Sequence, residues 1–235
     1  QGCARIMKSI LFTCFHQVLP LNFVKPILPL LEREENVRVV VLVPSNKKAY
    51  FDKEYHGQRL VIEGVTLGGF TRTLRDRIMG RLMHPMCDTE SMRVMYRARL
   101  ENHHRILHYY FFYLPIRMLG HSLFARRIMR WIDACLASER RFVPYLEKYA
   151  PDLIFSADVM DKYDSELIHV AKRRGMRVVS MVRSWDNLTK FGLLRAIPDH
   201  LLVWNELIKR EAVDYQGVPE GRITPVGIPH YDRYR

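Results

Sequence analysis

Residues Val37 to Val43 read Val-Arg-Val-Val-Val-Leu-Val, and no other stretch limits the fold as tightly. β-branched side chains favour extended backbone, so the run is a strand. Apolar and polar residues would alternate in a strand with one wet face. A near-continuous apolar run instead marks a strand covered on both faces, as parallel strands are between two helix layers. Pro44-Ser-Asn ends it. The chain therefore has to supply helices for both faces, and 48% hydrophobic residues over 235 positions are enough to do so.

Two neighbours complete a first unit. Ser9 to Phe15 is a shorter apolar run, and Arg59 to Val65 a weaker strand. Between the first two strands, Val24, Ile27, Leu28 and Leu31 recur at helical spacing, with Pro26 and Pro29 tolerated in the first turn. Strand, helix, strand implies a right-handed βαβ unit. Alternation returns after residue 150, with strands expected over Asp152–Ala157, Arg177–Val182, His200–Trp204 and Ile223–Val226. Asp164 is expected to cap a helix running through Arg174, with Gly175 just past its end, and Asn205 to cap Glu206–Tyr215. The pattern predicts an α/β fold with a doubly wound parallel sheet.

The middle, 71–149, reads as a helical, basic insertion. Met92, Met95, Tyr96, Arg99, His103, Ile106 and Leu107 recur three or four residues apart, and Ile128, Trp131, Ile132 and Cys135 repeat the pattern, predicting helices. Between residues 71 and 130 twelve arginines stand against four acids, within a chain of net charge +12. Such an excess points to an anionic partner. The aromatic run Tyr109-Tyr-Phe-Phe-Tyr113 has two readings: it packs in a core while the arginines stay solvated, or it lies on an acidic membrane surface at headgroup level. No nucleic-acid-binding pattern is present.

Cys3, Cys14, Cys87 and Cys135 form neither a disulfide framework nor a zinc signature, and Cys14 reads as a small core residue. No run of about 20 apolar residues spans a bilayer, and residues 9–15 are too short for a signal peptide. These features set the expectation of a cytoplasmic protein, peripheral to a membrane at most. Beginning at Gln1, with Met7 a natural start, and ending at Tyr234-Arg235, the sequence reads as a piece of a longer protein.

Ligands of open parallel sheets bind beyond the carboxyl ends of the strands. That rule selects His16, Asp158, Arg183 to Asn187, and Asn205. Arg183-Ser-Trp-Asp-Asn187 is the densest: a cation (Arg183), a hydroxyl (Ser184), a stacking ring (Trp185), a carboxylate (Asp186) and an amide (Asn187). Asp186 suits a general base if partly buried; equally, Asp186 or Asn187 caps the next helix and Trp185 fills the sheet edge. His16 follows the first strand, where a base or a phosphate contact would sit, or a structural histidine. Asp158 and Asp161 share a loop and read as solvated. His104 and His108 stand one turn apart, but the helix between them is basic and lacks a carboxylate, so no metal site is expected. Gly68-Gly69 is a turn rather than a phosphate loop.

The order Ser184-Trp-Asp-Asn-Leu-Thr-Lys-Phe-Gly192, Pro198-Asp199, Val203-Trp-Asn205, Lys209-Arg-Glu-Ala-Val213 and Val226-Gly-Ile-Pro-His-Tyr-Asp232 resembles the end of the N-terminal domain in GT-B-fold glycosyltransferases. The bacterial surface-carbohydrate and CDP-glycerol glycerophosphotransferase-like members are most similar. The resemblance implies a Rossmann-like N-terminal acceptor domain over 1–220, with 221–235 a crossover toward a C-terminal donor domain. It implies acceptor binding here, a nucleotide-activated sugar or polyol phosphate as donor rather than a cofactor, and catalysis in the cleft without a metal. A histidine often follows the tryptophan in the glycerophosphotransferases, where this chain has Asp186. The Gly-rich loop after the first strand is replaced by His16-Gln-Val-Leu-Pro. Two other readings share this ground: a UDP-sugar 2-epimerase-like protein of the same fold, and a non-catalytic membrane-docking α/β module.

Overall fold

The computed structural model describes residues 7–15, 26–31, 33–68, 73–103 and 106–228. The expected parallel sheet is present: seven strands in the order β3-β2-β1-β4-β5-β6-β7, every pairing parallel. They are β1 (Lys8–Thr13), β2 (Val37–Pro44), β3 (Leu60–Val65), β4 (Leu153–Ser156), β5 (Arg177–Met181), β6 (His200–Val203) and β7 (Ile223–Pro225). The order runs outward from β1 to β3, then restarts on the other side of β1 with β4. That reversal makes the β1–β4 junction the topological switch point, where such sheets open a crevice.

In β2, Val39 to Val43 are all buried, and successive residues serve opposite faces. Val40 and Leu42 join one core with Leu11, Ile154 and Val178; Val39, Val41 and Val43 join the other with Phe12 and Phe155. The first face is covered by α8 (Val143–Tyr149), α9 (Lys162–Arg173) and α11 (Glu206–Asp214), through Leu146, Leu167 and Ile208. The second is covered by α1 (26–31) and α2 (Lys48–Glu54), through Leu28 and Phe51. Helix α2 is an addition to the sequence reading. A parallel β2–β3 pair needs a crossover, and this short segment provides it. Burying each such valine or leucine contributes roughly 1.5–3 kcal/mol.

Caps follow local chemistry. Asn205 accepts a hydrogen bond from the Ile208 amide at 3.0 Å, as expected. Asp161, not Asp164, caps α9 by accepting from the amides of Tyr163 and Asp164, and Asp164 instead lies buried in the first turn.

The connection from β3 to β4 is the helical insertion: α3 (Leu74–Met83), α4 (Glu90–His103), α5 (Ile106–His108), a π-turn over Tyr109–Tyr113, α6 (Leu114–Gly120), α7 (Leu123–Cys135) and then α8. Pro115 has no N–H to give the carbonyl one turn back, and the wider π-turn in front of it relieves the clash of its ring.

The stripe Ile128, Trp131, Cys135 does not face a core; all three are exposed, as are Ile106 and Leu107. Helix α7 instead buries Arg126 and Asp133. Ile132 packs inward against Met79, Met83, Met86 and Leu193, and the Met92–Tyr96 part of the pattern packs against Tyr113, whose ring stacks on Tyr96 at 3.9 Å.

Candidate functional site

Asp133 sits wholly buried at a node of four elements. Arg195 grips it with two hydrogen bonds of 3.0 and 2.7 Å, Arg75 approaches to 2.9 Å, and His169 Nε2 lies 3.2 Å away. Arg195 also donates to Asp76 at 2.7 Å. The two guanidinium groups and the His169 contact hold the Asp133 carboxyl far below the usual carboxylate range despite its burial. Around this node, arginines dock α7 by donating to carbonyls: Arg126 to Gly120 and Tyr215, Arg130 to Leu194 (2.8 Å) and Gln216 (2.7 Å). Asp88 is shared by Arg93 and Arg117, and despite burial those partners pull its carboxyl down to about 2. Much of the basic excess between residues 71 and 130 is therefore mortar. Arg77, Arg81, Arg97 and Arg127 remain exposed with no carboxylate partner among the described residues.

Between this insertion and the carboxyl end of the sheet lies a cavity of about 1130 Å³. One wall is basic and aromatic: Arg77, Arg81, His84, Tyr96, Arg99, His108 and Phe112. The opposite wall comes from the loop after β4 and the start of α9 (Asp158, Lys162, Ser165) and from Arg183 after β5. His84 Nδ1 and Tyr96 Oη, 3.1 Å apart, link one side of the basic wall.

Asp158 is the carboxylate at the switch point. It is 2% exposed, so it is not the solvated loop acid that its sequence context suggests. Burial pushes its carboxyl up to about 7 even though Arg183 and the Met160 amide, which donates to it at 3.1 Å, favour the charged form. Arg183 Nη1 lies 3.3 Å from Asp158, and Arg183 Nε and Nη1 have no hydrogen-bond acceptor among the described residues. Behind it, Asp164 is buried and its carboxyl raised well above normal, by desolvation and by the nearby Asp161. Thr13, at the end of β1, donates to Asp164 and accepts from the Ala157 amide at 3.0 Å, tying the two strand ends together.

The remaining sequence candidates fall elsewhere. Ser184, Trp185, Asp186, Asn187 and Asn205 do not line this cavity. Ser184 Oγ donates to Asp186 at 2.7 Å, and Lys190 lies 3.7 Å from the same carboxylate. Trp185 is 68% exposed and fills no sheet edge, while Asn187 is fully buried. This loop and the short helix α10 (Asn187–Lys190) receive the α3–α4 corner instead: Thr89 Oγ1 donates to the Thr189 carbonyl and Cys87 Sγ to that of Leu188. Gly192 shows why this loop needs its glycine. Its φ is +88°, and a Cβ there would stand 2.5 Å from the Cα of His84. His16 lies outside the described residues, as do Gly69 and His104. Among the described residues no three His, Cys, Asp or Glu side chains converge as metal ligands, and no helix is long and apolar enough to cross a membrane.

No family model matches the sequence, and no curated protein matches it either. Among solved structures it is similar to a glycosyltransferase from Rickettsia africae, at 6% identity and a TM-score of 0.45, over 94% of this chain and 42% of that one. It is also similar to a UGT of Arabidopsis thaliana complexed with quercetin, at 14% identity and a TM-score of 0.42, over 94% of this chain and 50% of that one. The chain thus spans half or less of the length of these two proteins. Likenesses of this size concern the course of the backbone and assign no activity.

Asp158 and Arg183 were visible as residues beyond β4 and β5. Their pairing over the switch point depends on the strand order, which the sequence does not display.

Proposed function

We propose that this chain is the acceptor-binding part of a glycosyl- or glycerophosphoryltransferase, with Asp158 as the general base. The carrying observation is Asp158 itself: a buried carboxyl raised to about 7, on the wall of a large cavity at the sheet's switch point. A base with that affinity is half-ionised near neutral pH and able to take a proton from an acceptor hydroxyl as the hydroxyl attacks. Arg183 beside it steadies the carboxylate when it is ionised. Across the cavity, Arg77 and Arg81 suit an acceptor that carries negative charge. The order of residues from Ser184 to Asp232 supports the transferase reading, with a nucleotide-linked donor held by a further domain and a surface polysaccharide or lipid-linked saccharide as acceptor.

The test is turnover in the protein with its donor domain. Asp158→Asn is expected to lower kcat at least about a hundredfold, the scale of lost general-base catalysis, with little change in acceptor affinity. Asp186→Asn, by contrast, removes a carboxylate that lies off the cavity and is expected to cost less than about threefold in kcat. The reverse ranking would move the base to the β5 loop and overturn the reading.

A further inference from the structure

The helical insertion is amphipathic, and the fold turns part of it inside out. Along α5, the π-turn and α6, Leu107, Tyr110, Phe111 and Met118 recur at helical spacing and all face solvent. Along α7, Phe124, Ile128 and Trp131 do the same. The exposure is large: 78% for Phe111, 72% for Phe124 and 67% for Trp131. Met118 and Phe124 lie on either side of the α6–α7 corner. Large apolar side chains exposed in this number along neighbouring helices point to a binding face.

Charge selects the partner. From Ile106 to Cys135 the single acidic residue is Asp133, and it is buried at the node already described. The outward face therefore carries no negative side chain, while Arg127 stands inside the α7 stripe with no carboxylate partner among the described residues. A second copy of the chain, docked by two-fold symmetry, would bring Arg127 against a face equally devoid of acids. A bilayer of anionic phospholipid meets both demands. Its acyl boundary takes the apolar stripe, its headgroup level suits the Tyr and Trp rings, and its phosphates take the arginine.

We propose that the outward face of α5, α6 and α7 docks the chain on an anionic phospholipid bilayer, lying in the interface without crossing it. None of these outward side chains lines the cavity, and the proposal stands or falls independently of the transferase reading.

The experiment is flotation of the chain with vesicles of phosphatidylglycerol and phosphatidylcholine, compared with phosphatidylcholine alone, with light scattering run in parallel. The expected result is flotation with the anionic vesicles and at least tenfold weaker binding to the neutral ones. The double variant Phe124→Ser/Trp131→Ser and the single variant Arg127→Glu each lower binding at least tenfold while circular dichroism and Tm stay as in the parent. Three results would overturn it: no flotation with either vesicle, variants that float as the parent does, or a dimer dispersed by Phe124→Ser/Trp131→Ser without any vesicle binding.

Discussion

Strand β2 buries five consecutive aliphatic side chains between helix layers, whereas helix α7 buries an arginine and an aspartate and turns Phe124 and Trp131 to solvent. The sheet is held by area removed from water, a force without direction that tolerates small shifts. The insertion has small apolar clusters of its own, around Met83 and Tyr96, but beside them guanidinium groups donate to particular carbonyls and carboxylates, where loss of one partner strands a buried charge. The difference explains how a single connection between β3 and β4 roofs a cavity and still leaves an apolar face unused. Buried arginines share the docking with Met129 and Ile132, and Phe124, Ile128 and Trp131 are left in solvent.

The largest effect that would break this comparison comes from Asp133→Asn. Removing its charge leaves the buried Arg75 without its carboxylate partner and Arg195 with Asp76 alone, and the expected loss is about 3–5 kcal/mol in denaturant unfolding at pH 7. Leu11→Ala, in the sheet core, is expected to cost about 2–5 kcal/mol. The two penalties separate with pH. A carboxyl whose folded affinity for protons is depressed adds stability above its unfolded value near 4, and that contribution drains away as pH falls through the folded value. Asp88 covers the range from about 4 down to about 2, and Asp133 extends it lower. The Asp133→Asn penalty should thus shrink between pH 4 and pH 2, while that of Leu11→Ala holds. Equal pH dependence for both would mean the insertion is held by apolar packing after all.

The smallest expected effect is at the outward face. Trp131→Ser should change stability by no more than about 0.5 kcal/mol, because a side chain in contact with water is lost. A loss above about 2 kcal/mol in the same unfolding experiment would show that Trp131 is core.

How far the sequence reached follows from the same contrast. The strands were legible because burial on both faces leaves a continuous apolar run, as in Val37–Val43. The helices of the insertion were legible from their period, but a period gives a stripe and not its direction. Only the inward arginines, which look solvated in sequence, reveal that the Ile128–Trp131 stripe faces out. The candidate site was half legible. Asp158 and Arg183 stand beyond strand ends, yet the burial that lifts the Asp158 carboxyl is made by distant segments. Asp186 drew attention through a motif whose observed contacts mainly seat the α3–α4 corner.

The most direct test of the account is a titration of the Asp158 carboxyl carbon by NMR in this chain, assigned by comparison with Asp158→Asn. The account predicts a midpoint near 7, raised by burial against the pull of Arg183. A midpoint near 4 would make Asp158 an ordinary ionised partner of Arg183 and would contradict its role as the base.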